Sequence, residues 1–146
     1  MTNGELAREL YLQLLKTRMT FRQTLQKLLK LHNFDMTFEM LQIMSRLWAE
    51  QGVSQQYLAE KTAKDKASLT YLINNLEKKG WVVRRKDITD QRNKLIFLTP
   101  EGEALAGQVK PLISSVYNHA GNKMGQENMQ ACLNSLKQLD EGFNEI

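Results

Sequence analysis

Apolar residues recur along this chain at helical spacing, with one strand-like interruption. Leu69, Leu72, Ile73 and Leu76 stand at i, i+3, i+4 and i+7, which predicts a helix with one buried face. Rotation by 100° per residue puts Ala67, Tyr71, Asn74 and Lys78 opposite, with Thr70 and Asn75 flanking. Asp65 suits the N-cap, since its carboxylate can accept a free N–H of the first turn. Lys78 and Lys79 suit the negative end of the helix dipole, and Gly80 allows a left-handed exit. Trp81-Val82-Val83 then reads as a strand, followed by Arg84-Arg85-Lys86, a polar loop to Asn93, and a returning strand from Lys94 to Leu98. A helix leading into a basic β-hairpin is the working part of a winged helix.

The rest of the pattern frames this segment. Residues 5–32 predict one long helix carrying Leu6, Leu10, Leu14, Leu25, Leu28 and Leu29. It has more apolar surface than a small domain needs, which suggests packing against a second chain. After a break at His32–Asp35, Thr37 suits the cap of a helix to about Gln51, with Met40, Leu41, Met44, Leu47 and Trp48 inward. Gly52 ends it, Val53 makes a short joint, and Ser54 caps a helix that buries Leu58 and Ala59. Three short helices with tight joints make a helix-turn-helix core. Thr99-Pro100-Glu101 starts a further helix, kinked at Pro111; Gly121 to Gly125 break it; a last helix follows from about Gln126. The fold class is mainly α (α+β), a winged helix-turn-helix core with long terminal helices.

Charge sharpens the picture. The chain has 146 residues and a net charge of +4. Residues 61–94 hold ten Lys or Arg against four acids, a net +6, so the remainder is net negative. Positive charge gathered on the helix and hairpin is the footprint of a phosphate-binding surface, although a solvated face would read the same way. Candidates on it are Lys66, Arg84, Arg85, Arg92 and Lys94; Arg84 and Arg85 alternate across a strand, so only one need face a ligand. Free N–H groups after Ser54, at Gln55, are placed to meet a phosphate.

Other chemistry is thinly represented. There is no Gly-rich phosphate loop, paired nucleophile and base, or metal-ligand spacing, so the chain reads as a non-enzyme with no cofactor. The single cysteine, Cys132, precludes an intramolecular disulfide and suits a reducing, cytoplasmic setting; its place beside Leu133 reads as a buried packing position. No apolar run is long enough to span a bilayer, and no membrane partner is expected. Trp48 and Trp81 read as core residues.

The element order and the run Gly80 to Gly102 resemble the multiple-antibiotic-resistance regulator (MarR) family of bacterial transcription factors. The likeness covers nearly the whole chain. It rests on Gly80, Trp81-Val82, Arg84-Arg85, Asp90-Gln91-Arg92 and Leu98-Thr99-Pro100-Glu101-Gly102, with Leu58-Ala59 and Leu76-Glu77-Lys78-Lys79 alongside. At Gln91 a second arginine is the commoner family residue, so one wing-tip guanidinium remains rather than two.

The resemblance implies a homodimer with interlocked terminal helices, acting as a repressor on a near-palindromic operator. Residues 36–100 would be the DNA-binding domain, and 1–35 with 101–146 the dimerisation region. The Asp65 helix would enter the major groove of double-stranded DNA, with Ala67, Ser68, Thr70 and Tyr71 at base edges and Lys66 and Asn74 nearby. Arg92 would reach a minor groove, and Asp90 would brace the wing or orient that arginine. A small-molecule effector would bind near Phe34, Met40, Met44, Trp48 and Leu112. Hydroperoxide-sensing members carry a cysteine near the N-terminus, where this chain has none. The reading from another class is a winged helix that serves protein interaction without specific DNA binding.

Overall fold

The computed structural model describes all 146 residues. Its contacts group them into two compact units, Thr24–Lys110 and the combination of Met1–Gln23 with Pro111–Ile146.

The first unit contains the end of α1 (Asn3–Leu31), α2 (Phe38–Ala49), β1 (Val53–Ser54), α3 (Gln55–Thr62), α4 (Lys66–Lys78), β2 (Val82–Lys86), β3 (Lys94–Leu98) and the start of α5 (Pro100–Met124). Local chemistry sets the helix starts. The side chains of Thr37, Ser54 and Asp65 accept from the N–H groups of Met40, Tyr57 and Ser68 respectively. Ala63, left-handed at φ 52°, sends the chain from α3 into α4. Gly80, at φ 77°, releases it from α4 into β2.

Ile43, Met44, Leu47, Leu58, Leu69, Ile73, Leu76, Ile96 and Val109 form the sealed centre of this unit. Each such side chain contributes about 1.5–3 kcal/mol of burial, so the α4 stripe alone fixes which face of that helix remains outside.

The sheet is three-stranded and antiparallel in the order β1-β3-β2, where the sequence suggests only a hairpin. The short joint at Val53 is itself a strand: Val53 pairs with Ile96, and Ser54 with Leu95. Gly52, at φ 75°, makes the turn that brings its N–H to the Ile96 carbonyl at 2.8 Å. The hairpin register runs from Val82 opposite Leu98 to Lys86 opposite Lys94. Helix α2 stops at Ala49, short of Gln51, because Glu50 is already extended.

The second unit holds the N-terminal part of α1, the C-terminal part of α5 and α6 (Gln126–Asn144). α1 starts earlier than residue 5 through a capping box: Glu5 N–H donates to Thr2 Oγ1 at 3.1 Å and Thr2 N–H donates to Glu5 Oε2 at 2.7 Å. α5 continues past Pro111 and through Gly121 to Met124, so the break is at Gly125 alone. An interior glycine costs a helix only about 1 kcal/mol relative to alanine, which is too little to end one this long.

Phe21 and Tyr117 stack with ring centroids 5.3 Å apart. Leu6, Leu10, Leu14, Met129, Leu133 and Phe143 are exposed, and α6 buries none of its residues. Cys132 is exposed as well, contrary to the packing position read from its neighbours, whereas Leu136 and Leu139 on the same helix are half-buried. No helix is long and apolar enough to cross a membrane.

Candidate nucleic-acid interface

With its apolar stripe buried, α4 turns Lys66, Ala67, Ser68, Tyr71 and Asn74 to solvent, and Tyr71 is 68% exposed. The Asp65 carboxylate accepts Ser68 N–H at 2.7 Å and Ser68 Oγ–H at 3.0 Å. Those two bonds hold its pKa below the ordinary carboxylate value. They also steady Ser68, the first hydroxyl on the outer face.

Thr70 is half-buried. Its hydroxyl donates to the Lys66 carbonyl at 2.9 Å and accepts from Gln55 Nε2 at 3.2 Å. Gln55, the first residue of α3, is therefore a strut between the two helices. Ser54 Oγ accepts from Tyr57 N–H at 3.1 Å and is occupied as a cap.

The two hairpin arginines part ways. Arg84 is largely enclosed and donates to Gln55, Asn74 and Glu77. Arg85 is exposed, with its guanidinium 5.2 Å from the Phe97 ring centroid. Glu77 completes the Arg84 cluster; an acid among lysines carries no local signal that it faces a strand arginine seven residues on.

The wing between β2 and β3 is folded on its own side chains. Asp87 accepts Thr89 N–H at 3.0 Å and its hydroxyl at 2.8 Å, and these bonds lower the Asp87 pKa. Asp90 Oδ1 accepts the backbone N–H of Arg92 at 3.1 Å, so the carboxylate braces the turn. The Arg92 side chain extends into solvent without an ion pair. Beside it, Ile88 is 97% exposed, an apolar wing-tip residue that the sequence reading passed over.

Between helix and wing lies a groove of about 380 Å³ lined by Gln55, Gln56, Lys66, Arg92, Asn93 and Lys94 among others. Three cations from three elements converge there, which suits a phosphate backbone.

Met44 is fully buried; Met40 borders a hollow beside Ala67 and Tyr71; Phe34 lines a different one with Lys27 and Lys30. Trp48 is half-buried, its indole N–H donating to the Gly102 carbonyl at 2.9 Å. Leu112 belongs to the other unit.

Residues 37–94 match the model of the MarR family. The HTH-type transcriptional regulator TtmR of Methylorubrum extorquens is 30% identical over 109 residues, which is 75% of this chain and 55% of that protein. The chain spans about 55–60% of the length of the curated relatives it matches. Among solved structures, a MepR–DNA complex from S. aureus superposes with a TM-score of 0.76 at 25% identity, over 97% of this chain and 98% of that one. NadR in complex with 4-hydroxyphenylacetate gives 0.75 at 28% identity, over 88% and 89%.

Proposed function

The chain belongs to the MarR family, and on that premise we propose that it is a sequence-specific, double-stranded DNA-binding transcriptional regulator. The observation that carries this reading is the convergence of Lys66, Arg92 and Lys94 on one groove beside the outward face of α4. α4 has the dimensions to enter a major groove, where Ser68, Tyr71 and Asn74 meet base edges. Arg92 reaches the neighbouring minor groove, whose narrowing concentrates negative potential. The MepR–DNA complex supports this assignment.

The working protein is a homodimer. Leu6, Leu10, Leu14, Met129, Leu133 and Phe143 form an apolar exposure on the terminal helices that a second copy would cover. Residues 36–100 then bind DNA, while 1–35 and 101–146 join the two copies. Two such surfaces related by a dyad read a near-palindrome. Repression relieved by a small cytoplasmic effector completes the reading, and NadR with its bound 4-hydroxyphenylacetate supports that part.

The test is binding to mixed genomic DNA across a salt series. A dimer contacting about 6–10 phosphates loses affinity steeply as salt rises from 50 to 200 mM, by roughly 10³–10⁵. An affinity indifferent to salt would overturn the assigned surface.

A further inference from the structure

Beyond the last strand pair, Lys86 opposite Lys94, the wing closes on itself. Asp87 N–H donates to the Asn93 carbonyl at 3.0 Å, and Asn93 N–H donates to the Asp90 carbonyl at 3.0 Å. Ile88 and Arg92 are thus the first residues past the closing pair, one on each arm of the loop. The Asp87 carboxylate takes the Thr89 N–H and hydroxyl, and the Asp90 carboxylate takes the Arg92 N–H, so the backbone is tied on both arms.

Every side chain from Asp87 to Lys94 is polar or charged except Ile88. It is 97% exposed and packs on nothing in its own chain. A lone exposed aliphatic residue is ordinary on a protein surface. This one is held out on a tied loop among Arg85, Lys86, Arg92 and Lys94, and the acids beside it, Asp87 and Asp90, turn their carboxylates onto loop N–H groups. Cations so placed draw in the phosphates that edge a DNA groove, and an aliphatic side chain among them meets the groove itself.

We propose that Ile88 is a specificity-determining residue of the wing: it enters the minor groove beside Arg92 and excludes G·C from the base pair beneath it. This rests on the wing reaching a minor groove, and it adds what the wing reads there. Isoleucine is among the apolar side chains that minor-groove proteins place against the bases. The groove floor presents only acceptors at A·T and T·A, whereas G·C and C·G add the guanine N2 amino group. That amino group fills the depth the side chain of Ile88 needs. Covering it with an aliphatic group also strips water from a donor and gives it no partner. Both orientations of each pair present the same kind of floor, so the choice is between pair types and is independent of strand. Arg92 responds to the potential of a narrow groove, and Ile88 to one protruding group.

The experiment starts from a duplex that the full-length wild-type chain selects from a random pool. Adenine is replaced by 2,6-diaminopurine one position at a time, and binding by wild type and by Ile88→Ala is measured. Diaminopurine adds the minor-groove amino group and keeps the N6 and N7 pattern of the major groove. Wild type should lose roughly tenfold in affinity at one A·T pair flanking each half-site. Ile88→Ala should bind the substituted and unsubstituted duplexes alike. It should keep the half-site, and also the log–log salt slope, because no cation has been removed. Its melting temperature should equal that of wild type, since the side chain leaves no cavity behind. A penalty that survives in Ile88→Ala belongs to groove width acting on Arg92, and overturns the proposal. So does a selected site with G·C at every flanking pair. Wild-type binding that is steeply salt-dependent yet tolerates diaminopurine at every flanking pair also overturns it, and leaves the DNA-binding assignment standing. A wild-type chain that binds no duplex removes that assignment, and the proposal with it.

Discussion

The carbonyl oxygen of Trp81 lies against Gly102 so closely that a β-carbon on Gly102 would stand 2.1 Å from it. This contact locks the first turn of α5 under the start of β2. Thr99 completes the joint: its hydroxyl donates to the Gly80 carbonyl at 2.5 Å and accepts Gly102 N–H at 3.1 Å. The Gly102 carbonyl accepts from the Trp48 indole at 2.9 Å. Gly102→Ala must push α5 away from β2, and overpacking of this kind costs about 1–3 kcal/mol. Chemical denaturation should show a lower midpoint with an unchanged slope. Equal stability of wild type and variant would contradict the geometry.

The Asp65 cap gives stability a pH dependence. Its carboxylate is held below the ordinary value, first by the Ser68 N–H and then by the Ser68 hydroxyl. A group whose folded pKa is depressed stabilises the fold above its unfolded pKa, about 3.9, and loses that effect as pH falls through the folded value. Asp65→Ala should therefore melt at a lower temperature than wild type at neutral pH, with the gap closing below about pH 4. A gap of constant size down to about pH 2 would show that the charge takes no part in the cap.

These two sites also show why some features could be read from the residues and others could not. The caps at Thr37, Ser54 and Asp65 are contacts across three residues, so spacing alone reveals them. Gly102 could be read as part of a motif, but its reason is a carbonyl twenty-one residues away. β1 is a pair of residues made a strand only by β3, and two residues have no periodicity. The Arg84 cluster joins residues 55, 74, 77 and 84 across three elements, and no local pattern announces it. Cys132 illustrates a further gap: an apolar stripe says that something covers a helix face, without saying whether it is the same chain.

The exposed apolar residues of α1 and α6 predict a stable dimer. Light scattering at micromolar concentration should give twice the 16.9 kDa of one chain. Leu133→Glu places a charge on the uncovered face of α6 and should shift the population toward monomer. Helix content should be retained in residues 24–110, whose core is their own. A wild-type mass near that of one chain would contradict the assembly.

Arg92 is exposed and outside any ion pair, so its removal should cost little stability. Arg92→Ala should weaken binding to every DNA sequence and reduce the log–log salt slope by about 2 per dimer, one for each lost contact. A slope and affinity equal to those of wild type would remove the wing from the interface.

The division of labour between helix and wing is the centre of this account, and selection of bound DNA tests it most directly. Wild-type chain, Ser68→Ala, Tyr71→Ala and Arg92→Ala are each given the same random duplex pool. Wild type should enrich two half-sites related by a dyad, with centres roughly 10 bp apart or a multiple of that. Ser68→Ala or Tyr71→Ala should relax individual base pairs, by about 1–3 kcal/mol where contact is direct. Arg92→Ala should keep the half-site and lose only a preference for narrow A·T-rich flanks. A half-site rewritten by Arg92→Ala, with Ser68→Ala and Tyr71→Ala leaving it untouched, would contradict the assignment of reading to α4 and anchoring to the wing.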